Sequence, residues 1–374
     1  MDRRLFLSSI GAIATSAGRP LFAEGEWEIT TDSERAVDRG LVWLSRNQGS
    51  AGNWKSTDIG LVALGAMAFL SAGHAPGRSV YGDNVQRAMD YILANAKPSG
   101  LLNASSERRD MYNHGLAVFA LTQAYGTVSD RRLGPVLDRG VKLICDVQCK
   151  DGGWDYIARK TSRGHDLSLA VMQAKALRGA TDIGLDIPPR VVELAIKSVR
   201  NYYRPLGPPD GIRYGDDPLS TRPGAFTYNG GKVTTAMAAA GAVCLQEFGE
   251  YHDFRIPRSL DHVANDIQTK MKVRQGHVPF DAYTMYYVAQ GLYQVGKERW
   301  RKNFPLIRDA IIRSQTKSAM PENDGSWEGG RVGDVAGKLF GTSTAVFALS
   351  IPNRYLPILQ EGVFEPNSDP KKTP

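Results

Sequence analysis

Three side chains suited to proton transfer or metal binding stand near the starts of two apolar segments: His114, His165 and Asp166. Two imidazoles and a carboxylate can hold a metal ion or act as an acid–base pair. Each can equally hydrogen-bond the end of a neighbouring helix, because buried polar groups nearly always find a partner. We favour hydrogen bonding over metal, predict no metal or cofactor, and keep all three as candidate contacts for an organic ligand.

Other polar and aromatic residues occupy the same place at the starts of similar apolar segments. They complete a predicted ligand-binding set, in which no residue is assigned a catalytic role: Asp58, Tyr112, His114, His165, Asp166, Asp281, Tyr283 and Tyr286. Thr234 and Thr342 stand in equivalent positions, and Tyr287 and Phe347 would lie deeper beside Tyr286. Tyrosine and phenylalanine at helical spacing are also typical of a hydrophobic core, so packing is the alternative for the aromatic residues.

The composition is that of an ordinary globular protein. The 374 residues are 42% apolar and 23% charged, and no run of five or more basic residues occurs, so nucleic acid is not a predicted partner. The three cysteines, Cys145, Cys149 and Cys244, do not form a disulfide framework. Cys145 and Cys149 are predicted to share a helix and to serve as packing residues. The sequence contains neither a G-x-x-x-x-G-K-[ST] phosphate loop nor a G-x-S-x-G elbow.

The N-terminus has the features of a targeting segment. Arg3 and Arg4 directly precede a short apolar stretch that is diluted by small residues and ends near Ala23. The pattern resembles a twin-arginine export signal over residues 1–23, which would place the mature chain in the periplasm or cell envelope. After residue 23 no apolar run reaches the length of a membrane span.

A repeat organises the remaining chain. Residues 37–48, "VDRGLVWLSRNQ", align with residues 137–148, "LDRGVKLICDVQ", and a tryptophan follows six residues after the glutamine in both. A related unit that begins at Val85 lies between them, with Gly100 in the place of Gly52. The period is therefore about 50 residues, which is typical of stacked structural repeats.

Each repeat has the pattern of two helices joined by a glycine-rich turn. The first is amphipathic and starts near residues 35, 85, 137, 190, 257 and 304; the second is apolar almost all round and starts near 58, 114, 167, 233, 283 and 342. Thr31 and Glu34 are expected to form a capping box at the first helix. Six hairpins with buried inner helices predict an all-α fold, a single (α/α)6 toroid over residues 24–361, followed by a disordered tail at 362–374.

The glutamine–glycine–tryptophan combination appears three times, as "QGSAGNW" from Gln48, "QCKDGGW" from Gln148 and "QTKSAMPENDGSW" from Gln315. It resembles the QW repeat of squalene–hopene cyclases and the related repeat of protein prenyltransferase β subunits. The resemblance covers residues 30–355 and implies an α/α toroid with a central funnel. In such a fold the inner-helix N-termini face the funnel, which would give it partial positive charge and free amide donors.

The catalytic motifs of these families do not accompany the repeat. Squalene–hopene cyclases protonate a double bond with a D-x-D-D motif, and class I terpene synthases bind magnesium through D-D-x-x-D; neither occurs here. The segment from Arg109 to Leu121 looks like the one that carries the zinc-binding histidine of prenyltransferases, yet their Asp-x-Cys partner is missing. The resemblance therefore implies neither activity.

Three functions remain open at this point. The first is an exported repeat protein that binds an apolar or isoprenoid-like ligand in its funnel. The second is a polysaccharide lyase or glycosidase, which would need paired carboxylates or a Tyr or His base. The third is a non-catalytic envelope scaffold, for which we expect a filled funnel. The oligomeric state is not indicated.

Overall fold

The computed structural model describes residues 27–104, 109–273, 280–329 and 337–359. The export-signal and tail predictions, at residues 1–23 and 362–374, lie outside the described residues. Twelve α-helices occur in the described part, and they form six consecutive pairs. The first helix of each pair lies outside: α1 (Thr31–Asn47), α3 (Gly82–Ala94), α5 (Leu133–Asp146), α7 (Pro189–Arg200), α9 (Arg255–Val273) and α11 (Lys297–Ser314). The second lies inside: α2 (Ile59–Ser71), α4 (Asp110–Tyr125), α6 (Leu167–Asp182), α8 (Thr235–Glu247), α10 (Ala282–Val295) and α12 (Lys338–Ser350).

The six inner helices form a closed ring. Each packs against the next in chain order, and α12 packs against α2. In α2, every residue except Leu61 is buried, and α8 is buried along its whole length. Helices without a polar face need protein on all sides, which the outer helices and the ring neighbours provide. The prediction of an all-α toroid built from six helical hairpins is confirmed.

One small sheet interrupts the helical pattern in the described residues. Strands β1 (Tyr203–Pro205) and β2 (Gly224–Phe226) pair antiparallel in the long connection between α7 and α8, with Tyr203 opposite Phe226. Phe226 packs against Gly241 of α8, and a side chain at position 241 would collide with the phenyl ring of Phe226. The sheet thereby holds the long connection against the inner helix that follows it.

The repeated glutamine joins each hairpin to the next. The amide Nε2 of Gln148 donates to the carbonyl oxygen of Gly152 in its own turn, at 3.0 Å, and to that of Val191 in α7, at 2.9 Å. Gln48 makes the same pair of contacts, with Gly52 and with Asn84 of α3. The glutamine therefore gives a side-chain donor to two carbonyls at once, one in its own turn and one in the first turn of the next outer helix.

The tryptophan of each copy holds the turn against its own outer helix. The indole N–H of Trp54 donates to the carbonyl of Leu44, that of Trp154 to Ile144 and that of Trp327 to Ile311, each at 2.8 Å. A buried indole N–H normally finds such a partner, and its ring supplies apolar area. These residues therefore hold the toroid together, as a structural repeat should.

Two local predictions are wrong. The capping box of α1 is formed by Thr30 and Ser33, not by Thr31 and Glu34: Thr30 Oγ1 accepts from Ser33 N, and Ser33 Oγ accepts from Thr30 N. Cys149 does not share a helix with Cys145, because α5 ends at Asp146 and Cys149 lies in the following turn. The capping residue is the last one with extended backbone geometry before the helix. The sequence pattern does not fix this position to within one residue.

Candidate functional site

A cavity of about 420 Å³ opens at the N-terminal end of the inner helices. Every inner helix or the residue that caps it contributes to the wall. The lining residues are Asp58, Gly60, Leu61, Leu64, Arg109, Tyr112, Asn113, Leu116, Tyr156, Ser168, Tyr228, Thr234, Ala236, Met237, Tyr283 and Phe340. The cavity therefore lies on the axis of the ring, and its size falls in the range of roughly 300–1,000 Å³ that is usual for small-molecule sites.

Two connecting segments bring tyrosines to the rim of the cavity. The backbone carbonyl of Tyr156 accepts from Met111 N in α4 at 2.9 Å, and that of Tyr228 accepts from Leu167 N in α6 at 3.0 Å. Each bond satisfies an amide in the first turn of an inner helix, where no intrahelical partner exists. The hydroxyls of Tyr156 and Tyr228 then meet at 3.0 Å.

The lining carries one ion pair among the described residues. Arg109 Nη2 lies 3.8 Å from Asp58 Oδ2, and both side chains are largely buried. Asp58 also caps α2, because its Oδ1 accepts from Leu61 N at 3.1 Å. The two charges compensate each other across the wall between α2 and α4.

Asp166 lies behind the cavity wall and is buried completely. Its Oδ1 accepts from Ser168 Oγ at 2.5 Å and from Leu169 N at 3.2 Å. Its Oδ2 accepts from Nδ1 of His165 at 2.8 Å. Ser168 in turn is 3.4 Å from the hydroxyl of Tyr156, so a continuous hydrogen-bonded chain runs from Asp166 to the cavity rim.

The tyrosines at the cavity are held in their neutral form. Burial raises the pKa of Tyr112, and the negative charges of Asp166 and Asp58 raise it further. Burial likewise raises the pKa of Tyr156, Tyr228 and Tyr283. Phenols with such pKa values are hydrogen-bonding groups rather than bases at neutral pH.

A series of aromatic rings leads from the lining residue Tyr283 into the core. The Tyr283 ring is 5.0 Å from that of Tyr287, Tyr287 is 5.1 Å from Tyr286, and Tyr286 is 5.2 Å from Phe347. Tyr286, Tyr287 and Phe347 are buried. These three residues pack as core beneath the cavity, while Tyr283 reaches its wall.

The predicted ligand-binding residues are divided by the structure. Asp58, Tyr112 and Tyr283 line the cavity, and Asp166 stands directly behind Ser168. His114 is fully buried elsewhere: Nδ1 accepts from Leu102 N and Nε2 donates to the carbonyl of Gly140 in α5, both at 3.0 Å. Burial lowers its pKa to about 4, so the ring is a neutral link between α4 and α5.

The other predicted residues lie outside the described cavity lining. His165 is exposed and its ring stands edge-on to Tyr156, with ring centroids 4.7 Å apart. Asp281 is exposed and caps α10, accepting from Thr284 N at 2.8 Å. His114 and His165 thus have different partners, and no group of three potential metal ligands occurs among the described residues.

At four of the six inner-helix ends a side-chain cap occupies one of the backbone amides that we expected to be free. Asp58, Asp166, Thr234 and Asp281 each accept a backbone N–H in the first turn of the helix they cap. Three of these four caps are aspartates, whereas Arg109 and Gly337, at the starts of α4 and α12, make no side-chain cap bond. The positive charge expected for the funnel stays a prediction.

Among the lining residues that were not predicted from the sequence, five carry polar side chains: Arg109, Asn113, Tyr156, Ser168 and Tyr228. Arg109 occupies the same position before α4 as Asp58 does before α2, a parallel that the repeat alignment contains. Tyr156 and Tyr228 lie in long connections between outer and inner helices, and such loops commonly carry binding residues in a rigid scaffold. Their length and aromatic content were the available signal.

Solved structures with the same fold include enzymes of two classes. One is the type II terpene cyclase MstE from Scytonema, in a variant bound to its product merosterolic acid A, with 11% identity, 86% of this chain and 97% of that chain covered and a TM-score of 0.57. Another is the GH76 α-1,6-mannanase of Salegentibacter sp. HEL1_6, with 11% identity, 88% and 100% coverage and a TM-score of 0.56. The structure of a GH76 α-mannanase of Bacteroides thetaiotaomicron is similar over 89% of this chain and 97% of that chain, with 10% identity and a TM-score of 0.53.

No protein-family profile and no curated protein sequence matches the chain. None of the described helices is long and apolar enough to cross a membrane. At such low identity the structural similarity concerns the fold and carries no activity. The chain is thus an α/α toroid, similar in architecture to terpene cyclases and to GH76 mannanases.

Proposed function

We propose that this chain is a member of the QW-repeat toroids that binds an apolar or isoprenoid-like ligand in the axial cavity, without cyclase or prenyltransferase chemistry. The observation that carries the proposal is the cavity itself, on the ring axis and walled mainly by apolar and aromatic groups. Leu61, Leu64, Leu116, Met237 and Phe340 supply its apolar surface. A hydrocarbon bound there would contribute about 25 cal/mol of favourable free energy for each Å² of apolar surface removed from water.

Nine of the sixteen lining residues carry a polar side chain, and some of these are engaged with one another, as in the Asp58–Arg109 ion pair and the Tyr156–Tyr228 hydrogen bond. Such a site orients one end of a ligand and leaves the rest to packing. The D-x-D-D motif that supplies the proton in squalene–hopene cyclases is missing from the sequence, which supports binding without cyclisation. A scaffold would fit a filled funnel better than an axis that holds a cavity.

Polysaccharide cleavage has less support in the geometry. Hydrolysis of a glycosidic bond commonly uses two carboxyl groups that face the substrate. Asp58 is the one carboxylate among the described lining residues, and it is paired with Arg109. Elimination from a uronate needs a base, whereas the lining tyrosines have raised pKa values. Because GH76 mannanases share the fold, the experiment below also tests for polysaccharide cleavage.

The test is native mass spectrometry of the mature chain, purified gently from its own envelope compartment. A co-purifying mass of lipid size, lost in the cavity-filling variant Met237→Trp and kept in the control Leu206→Trp, is expected. Leu206 is 48% exposed, so its replacement leaves the cavity unchanged. A bare protein that also fails to bind added farnesol, and that shortens an α-mannan or a polyuronate, would contradict the proposal.

We also propose that the chain is exported through the twin-arginine route, on the strength of Arg3 and Arg4 before a weakly apolar stretch. Fusion of residues 1–30 to a reporter that is active only after export tests this directly. Replacement of both arginines by lysine is expected to abolish the signal. A signal that survives this replacement would contradict the twin-arginine route.

A further inference from the structure

The charge at the cavity bears on what kind of ligand it can hold. The two charged residues among the described lining, Asp58 and Arg109, form an ion pair. Asp166 adds a buried negative charge directly behind the wall. Burial is the main cause of the raised pKa of Tyr112 and Tyr228, and the charge of Asp166 raises both pKa values further. An anionic head group would therefore enter a region of unfavourable potential with its positive partner already engaged.

Four of the six inner-helix ends add little to anion binding. An inner-helix N-terminus binds an anion when its first amides are free. At α2, α6 and α10 an aspartate side chain already accepts one of these amides, and Thr234 does so at α8. At these four ends a phosphate would have to displace the cap, whereas α4 and α12 have no side-chain cap.

The acceptor Asp166 implies a direction for the hydrogen-bonded chain at the rim. Asp166 only accepts, so Ser168 donates to it at 2.5 Å. The proton of Ser168 is thereby used, and its oxygen accepts from the hydroxyl of Tyr156 at 3.4 Å. The Tyr156 proton is then used as well, so its oxygen accepts from the hydroxyl of Tyr228 at 3.0 Å.

Tyr228 stands at the open end of this chain. Its proton is directed toward Tyr156 and Asp166, with both of which the Tyr228 hydroxyl forms a hydrogen bond. This leaves a lone pair on the phenolic oxygen for a donor that comes from the cavity. Tyr228 is a lining residue and 38% exposed, so a ligand can reach it. An alcohol can donate to this oxygen, whereas a diphosphate or a carboxylate has no proton to donate at neutral pH.

We propose that the cavity takes an uncharged amphiphile whose hydroxyl donates a hydrogen bond to Tyr228, and that it discriminates against a phosphate ester of the same hydrocarbon chain. The hydrocarbon part lies against Leu61, Leu64 and Met237. The inference rests on the proposed function, since it names the class of ligand that the same cavity binds. It separates an isoprenoid alcohol from the diphosphates that prenyl-transferring enzymes use.

Three probes with one hydrocarbon chain test the inference on the mature protein: farnesol, farnesyl methyl ether and farnesyl diphosphate. The ether can accept but not donate a hydrogen bond. We expect farnesol to bind on the order of 5-fold tighter than the ether, the value of one neutral hydrogen bond. We expect farnesyl diphosphate to bind at least about 10-fold more weakly than farnesol.

Two variants assign these differences to the residues. Tyr228→Phe should abolish the preference for alcohol over ether, while Tyr355→Phe, a change at a ring that lies 62% exposed and outside the cavity lining, should retain it. Asp166→Asn keeps a good helix cap and removes the charge. It should reduce the discrimination against the diphosphate several-fold.

The outcomes separate the inference from the proposed function. Tighter binding of the diphosphate, or equal binding of alcohol and ether, overturns the inference and leaves ligand binding in the cavity intact. Unchanged preferences in both Tyr228→Phe and Asp166→Asn overturn the assignment to this hydrogen-bonded chain. Binding of none of the three probes overturns the proposed function, and the inference with it.

Discussion

Gln315 and Ala36 are separated by 279 positions, yet Nε2 of Gln315 donates to the backbone carbonyl of Ala36 at 2.8 Å. Gln148 makes the same contact with α7, and Gln48 with α3. The last repeat is therefore joined to the first by the device that joins neighbours elsewhere. The third copy of the repeat closes the ring.

Replacement of Gln315 by alanine should destabilise the ring. It removes two buried side-chain hydrogen bonds, to the carbonyls of Ala36 and Gly325, at a total cost of about 1–3 kcal/mol in the free energy of unfolding. Urea denaturation measures this cost. Gln86→Ala, which removes a half-buried side-chain bond within α3, serves as the control; a smaller loss for Gln315→Ala than for this control would contradict the role in ring closure.

Gly152 is expected to tolerate no side chain. Its φ is +91°, and a Cβ would overlap the carbonyl oxygen of Leu194 in α7. Gly49 has a similar φ of +73°, and no atom lies within 4 Å of the point that a Cβ would occupy there, so Gly49→Ala isolates the backbone strain of roughly 1–2 kcal/mol. Thermal and urea unfolding should show Gly152→Ala to be much less stable than Gly49→Ala. Equal losses would mean that the approach of α7 to the turn is not close.

The stability of the fold should fall as the solution is acidified from about pH 6.5 to 4. Burial lowers the pKa of His114 to about 4 from an unfolded value near 6.5, so the unfolded chain binds the proton first. The contribution is fully present above pH 6.5 and decreases as the pH falls, by roughly 3 kcal/mol at pH 4. In His114→Gln the slope of unfolding free energy against pH should flatten in this window.

Some slope should persist in that variant, because burial also lowers the pKa of His74 and His262. The comparison is therefore between the two pH profiles and not between absolute stabilities. Parallel profiles for the wild type and His114→Gln would contradict a neutral, buried His114.

Lys175 and Glu247 form an ion pair inside the ring that is almost fully buried, with Nζ 3.0 Å from Oε1. Nζ also donates to Gln290 Oε1 and lies 5.3 Å from the centre of the Phe119 ring. Removal of one partner strands a charge in the core, so Lys175→Met should cost about 3–5 kcal/mol.

The double variant Lys175→Met with Glu247→Leu should recover much of this loss, because it leaves no unpaired charge. A double-mutant cycle by urea denaturation measures the coupling between the two residues. A double variant that is less stable than Lys175→Met alone would contradict this account.

The repeat pattern was sufficient to predict the helices and their pairing. Apolar residues at helical spacing define the inner and outer helices, and the three Gln–Gly–Trp copies mark where neighbouring hairpins meet. These features depend on local periodicity and on glycines that supply the backbone conformation of a turn. A single sequence is therefore sufficient to recognise them. Helix boundaries were less exact, as the shift of the first capping box to Thr30 and Ser33 illustrates.

The direction of each side chain was decided by the tertiary structure. Tyr112 and His114 lie two positions apart at the start of α4, about 200° apart around the helix axis. Tyr112 consequently lines the cavity while His114 points to Gly140 of α5. The position of a residue at the start of a helix does not reveal how the helix is rotated about its own axis. For α4, packing against α2, α5 and α6 determines this rotation.

The amino-acid sequence by itself determined that this chain forms a ring of six helical hairpins and that its polar residues gather at the starts of the inner helices. Only the tertiary structure decided that aspartates cap three of the inner helices at this mouth, and that Tyr156 and Tyr228 from two separate connections meet beside Ser168, which donates to Asp166. The physical reason is that periodicity is a property of neighbouring residues, whereas the sign of a field and the end of a hydrogen-bonded chain depend on groups that only the closed ring brings together.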